Sequence, residues 1–83
     1  MASFQDAITN AVKTQAARKD VSNGDIAGAL GISRQMLWRY LNHEAAWNSD
    51  QFPPLAKVLG LESEWALFDL AKQEAVIAQE QAA

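Results

Sequence analysis

Apolar residues recur along this chain at helical spacing. Phe4, Ala7, Ile8, Ala11 and Val12 stand at i, i+3, i+4, i+7 and i+8, one stripe of a first helix that reaches about Lys19. Ser3 precedes it as a cap, with Asp6 three residues on. Ile26, Ala27 and Leu30 form a second, shorter stripe. Ser22 is placed to cap it, Asp25 takes the third helical position, and Val21 lies just outside, where it can staple onto Ile26. Gly31 supplies a residue able to take the left-handed conformation that stops a helix. Ile32, Ser33 and Leu37 then repeat staple and cap for a third helix, so two short helices follow each other across a three-residue corner. Pro53 and Pro54 can open a fourth, from about Phe52 to Leu59, because a first helical turn has no backbone hydrogen bond for proline to remove. Gly60 ends it, Leu61 is available for the hydrophobic contact of a Schellman ending, and Ser63 caps a last helix through "EWALFDLAKQEAVIAQ". No alternating run of β-branched residues is bounded by hairpin turns. The expected class is all-α, a compact bundle of five helices.

Length and composition narrow this further. With 83 residues there is one domain, expected over 1–78, with 79–83 as a frayed tail. A chain this short buries a modest core, which makes a second copy an expectation. There is no cysteine and a single histidine, His43, with no carboxylates clustered at ligand spacing around it, so no disulfide, metal or other cofactor is expected. The start, "MASFQDAITNAVK", has neither a basic flank with an apolar h-region nor the about 20 apolar residues of a membrane span. The expectation is a soluble, cytoplasmic chain without a membrane partner. The formal net charge is -3, unevenly spread: residues 1–47 hold five cations against four acids, and residues 48–83 hold two against six. Between Gly31 and His43 stand two arginines and no acid, so a local basic surface is possible on an acidic molecule.

The most patterned stretch is "VSNGDIAGALGISRQMLWRYLNHE", Val21 to Glu44. It has a small residue, Ala27, where two helices meet, and a corner glycine, Gly31, four residues later. Leu37 and Tyr40 are inner anchors, while Ser33, Arg34, Gln35, Trp38 and Arg39 lie on the outer face. Through "IAGALGISRQMLWRYLN" the chain resembles the lambda-repressor/Cro-like, or xenobiotic-response-element, family of bacterial and phage regulators, over about Asp6 to Leu70. The resemblance implies a five-helix domain with a helix-turn-helix at about 22–42, whose third helix enters the major groove of double-stranded operator DNA, usually as a homodimer. It makes Ser33, Arg34, Gln35, Trp38, Arg39 and Asn42 DNA-facing candidates and Asn23 a phosphate contact.

Groove chemistry fits those residue types. Guanine offers paired acceptors that suit Arg34 or Arg39, and adenine a donor and acceptor that suit Gln35, each pair worth about 1–3 kcal/mol of discrimination. Ser33 and the amides opening the second and third helices are placed to hold phosphate. Several roles stay open. Trp38 can meet a thymine methyl or sugar, pack on Trp47, or fill a protein interface. Tyr40 reads as core. His43 reads as an exposed loop residue that can reach phosphate.

The last helix carries more apolar surface than one stripe needs. Trp65 and Phe68 lie on one arc, Leu67, Leu70 and Ala71 on another. Either both make one wide core face, or the first, extended by Val76 and Ile77, makes a dimer contact within 63–78. No nucleophile with its base, carboxylate pair, phosphate loop or metal site is legible, so no enzymatic activity is expected. The leading expectation is a small repressor. The rival is a protein-interaction module or antitoxin that keeps the fold and meets another protein through the acidic C-terminal part and exposed Trp38, Trp47 and Trp65.

Overall fold

A computed structural model of the chain describes the backbone of residues 4–82 and the side chains of residues 4–73. Among the described residues there are five α-helices and no strand: α1 (Phe4–Lys19), α2 (Asn23–Leu30), α3 (Arg34–Leu41), α4 (Phe52–Val58) and α5 (Glu64–Ala82). A single 3-10 turn at Ser49–Gln51 leads into α4. The backbone of α5 is helical to Ala82, beyond the Gln79 at which the pattern predicts a frayed tail. Ser3, the expected cap of α1, lies outside the described residues.

Helices α1 and α5 pack along each other and make the frame; α2 rests on α3 and α4, and α4 on α5. The radius of gyration is 12.1 Å, close to the roughly 12 Å of a folded chain this long. The α1 stripe faces inward as expected at Ala7, Ile8, Ala11 and Val12, which join Ile26, Leu37, Leu55, Leu59, Leu67 and Ala71 in one core. Phe4 departs from it. At the open end of α1 it stays 55% exposed, its ring 5.8 Å from Phe68.

Two polar residues of α1 that the apolar pattern passes over are also buried, Thr9 and Gln15. Gln15 donates its amide to the carbonyl of Leu59 at 3.2 Å, supplying a partner at the end of α4. That helix stops as the sequence suggests: Gly60 takes φ +74°, and the N–H groups of Gly60 and Leu61 reach back to the carbonyls of Lys57 and Ala56. Thr9 serves the connection between α3 and α4. Its hydroxyl oxygen accepts the indole N–H of Trp47 at 2.8 Å and faces the carbonyls of Gln5 and Tyr40. One turn earlier, the Gln5 side chain takes the Trp47 backbone at both ends, accepting its N–H and donating to its carbonyl at 3.0 Å. Trp47 is thereby 3% exposed, stacked on Tyr40 with ring centroids 4.6 Å apart. This corrects the expectation that Trp47 is a surface aromatic. A tryptophan in a polar connection finds partners on α1, and burial of its ring then outweighs the polarity of its neighbours.

On α5, Leu67 and Ala71 are fully buried and Leu70 half-buried, so that arc closes the core. Phe68 is half-buried too. Its ring meets Phe52 edge-on at 5.1 Å and Trp65 at 5.5 Å, while Trp65 is 68% exposed. Phe4, Phe68 and Trp65 thus form an outward aromatic cluster. The side chains of Val76 and Ile77 lie outside the described residues. No helix among those described is long and apolar enough to cross a membrane.

Candidate nucleic-acid interface

The local chemistry of Val21 to Leu41 sets two helix starts and one sharp stop. At the first start, the Ser22 hydroxyl accepts the N–H of Asp25 at 3.1 Å and the Asp25 carboxylate accepts the N–H of Ser22, a reciprocal box. At the stop, Gly31 sits at φ +68°, ψ +31°, which a residue with a Cβ adopts only at a cost. The N–H of Ile32 then bonds the Ala27 carbonyl at 3.0 Å. At the second start, the Ser33 hydroxyl accepts the N–H of Met36 at 3.0 Å. Helices of eight residues each are too short to hold themselves in water, so the corner also needs its buried side: Ile26, Ala27, Leu37 and Tyr40 are inside, with Val21, Ile32, Met36 and Leu41 half-buried around them.

With that side fixed, the rest of α3 faces water. Arg34, Gln35, Trp38 and Arg39 are all exposed, as are Ser33, Asn42 and Asn23. At about 100° per residue, positions 34, 38, 42, 35 and 39 follow each other across an arc of roughly 140°. The arc has two edges. Arg34 and Trp38 border α2 and, with Ser22, Asn23 and Gly24, line a shallow concavity. Gln35 and Arg39 lie on the opposite edge. Trp38 is 57% exposed; Trp47 packs on Tyr40 instead, which removes the Trp38–Trp47 option.

Three expected contact residues are engaged within the fold. The Ser33 hydroxyl caps α3, and the Asn42 side-chain amide donates to the Trp38 carbonyl at 2.8 Å. His43, at φ +62°, places Nδ1 2.8 Å from a carboxylate oxygen of Asp6. That pair ties the second residue beyond α3 to the first turn of α1, while the Thr9 hydroxyl faces the Tyr40 carbonyl. The far end of α3 is therefore fastened to α1. Sequence reasoning missed Gln5 and Thr9 in this role; the signal available was polar side chains bordering the apolar stripe of α1 opposite an isolated tryptophan.

Among the described residues no group of three or more His, Asp or Glu side chains is gathered to hold a metal ion. The titratable carboxylates near the corner serve caps and pairs, Asp25 at Ser22 and Asp6 at His43. What the corner presents outward is a short arc of donors and two guanidinium groups on a helix narrow enough to enter a groove. No protein-family model, no curated protein and no solved structure matches the chain.

Proposed function

We propose that this protein is a sequence-specific DNA-binding regulator that lays α3 in the major groove, with no catalytic chemistry of its own. The observation that supports it is the corner itself: two eight-residue helices joined by Gly31, Ile32 and Ser33, with the anchors Leu37 and Tyr40 buried and Arg34, Gln35, Trp38 and Arg39 turned outward. The B-form major groove, about 12 Å wide, admits a helix and carries a distinct donor and acceptor pattern at every base pair. Arginine and glutamine supply the matching donors and acceptors. Asn23 and the start of α2 then lie toward the phosphates, because the first helix of such a pair crosses the backbone.

The net charge of -3 is compatible with this reading. Phosphate binding depends on the cations that reach the duplex, and repulsion from acids elsewhere on the surface is screened over a Debye length of about 8–10 Å. Few cations imply weak non-specific binding and a shallow salt dependence. The regulator acts most simply as a repressor that occludes a promoter.

Operator reading by so small a unit gains from two-fold pairing. The outward cluster of Phe4, Phe68 and Trp65 supports a homodimer through the start of α5, which would set two copies of α3 about 34 Å apart. The same aromatics favour a second reading, in which the domain docks a partner protein and binds no DNA. Selection from random duplex DNA by the purified chain at physiological salt separates them. The regulator reading expects a palindromic winner bound at least about a thousandfold tighter than its scramble. No enrichment, together with self-association or capture of a protein, would move the assignment to the interaction module.

A further inference from the structure

The outer arc of α3 is not uniform, and the reason lies on the neighbouring helix. Gly24 is the second residue of α2, and the space beside it is taken by Arg34. A Cβ built on Gly24 would stand 2.7 Å from one terminal nitrogen of the Arg34 guanidinium, 3.3 Å from its central carbon and 3.4 Å from Nε. The guanidinium of Arg34 therefore occupies the space that a side chain at position 24 would fill. No other glycine of the chain is approached so closely: Gly28 and Gly31 have open space where a Cβ would be, and Gly60 has only a lysine carbon at 3.9 Å.

Arg34 leads α3, where a side chain pointing straight out would meet base edges. Drawn sideways onto α2, it points instead to the part of the pair that crosses the sugar-phosphate backbone. Gln35 and Arg39, on the far edge of the arc, are not drawn off in this way. We infer that Arg34 contacts the DNA backbone and not a base, that Gly24 is the positioning residue that holds it there, and that sequence is read from the opposite edge by Gln35 and Arg39. This rests on α3 being the DNA-reading helix. Backbone contacts fix register and raise affinity for every sequence alike, whereas base contacts discriminate.

Anisotropy titrations of the full chain with the selected operator and its scramble, each over a range of salt, test the division. Arg34→Ala is expected to weaken both duplexes by one common factor and to reduce the slope of log K against log salt by about 0.9. Gly24→Ala leaves the backbone path open to an ordinary helical residue and displaces only the flexible tip of Arg34. It is expected to keep or raise the urea midpoint while weakening both duplexes, and the double variant should bind no worse than Arg34→Ala alone. Arg39→Ala should lose about 5- to 150-fold on the operator and little on the scramble. If Arg34→Ala loses operator binding alone, or if Gly24→Ala binds as the parent does, the inference is overturned while the regulator reading stands. A parent chain that shows no preference for any duplex overturns both.

Discussion

The corner between α2 and α3 and the connection between α3 and α4 are both short irregular passages beside the candidate interface, and they are held by opposite means. Every hydrogen bond described at the corner is local. Ser22 meets Asp25, Ser33 meets Met36, and Ile32 reaches back only to Ala27. The connection depends on distant chain: Trp47 bonds Gln5 and Thr9, 42 and 38 residues away, and stacks on Tyr40. The corner therefore fixes the angle and the outward face of α3 from within its own sequence, whereas the connection fixes how the far end of α3 is seated on α1. A chain built this way can exchange Arg34, Gln35, Trp38 and Arg39 on the outer face of α3 without removing a bond described in either support.

The difference sets an order of effects. Trp47→Ala removes a ring that is 3% exposed together with its indole hydrogen bond to Thr9, and a loss of about 3–5 kcal/mol is expected. For a chain of this size that lowers the midpoint of thermal unfolding by well over 10 °C, at about 4–8 °C per kcal/mol. Thr9→Val keeps the shape but strands the indole N–H, at about 1–3 kcal/mol in urea titration. Gly31→Ala meets no atom within 4 Å, so it registers only the left-handed backbone, about 1–2 kcal/mol. Ser22→Ala loses one cap, typically about 1 kcal/mol. Trp65→Ala, on the surface, should change monomer stability by no more than about 0.5 kcal/mol while weakening self-association in sedimentation velocity. Should Gly31→Ala prove more damaging than Trp47→Ala, the contrast between local and distant support would be reversed.

The same contrast explains what could be read before the fold was known. Caps, staples and stopping glycines act within five residues, so Ser22, Asp25, Gly31, Ser33 and Gly60 announce their roles in the sequence itself. The exposed face of α3 follows once Leu37 and Tyr40 are assigned inward. The burial of Trp47 could not be read locally, because its partners are the polar residues Gln5 and Thr9, which a search for apolar stripes discards. The engagement of His43 with Asp6 and the resting place of Arg34 on Gly24 are likewise contacts between elements. Of the α5 residues, the split between Leu67 and Ala71 inside and Trp65 outside follows helical spacing, while the intermediate seat of Phe68 depends on where Phe4 and Phe52 arrive.

In the proposed function, α3 and the start of α2, and no other surface, meet DNA. Backbone amide chemical shifts of the isotopically labelled chain, followed as the selected duplex is added, test it most directly. The largest changes are expected at Asn23, Gly24 and from Ser33 to Asn42, with α5 around Trp65 unmoved by DNA at constant oligomeric state. Changes centred on Phe4, Trp65 and Phe68, with α3 unaffected, would contradict it.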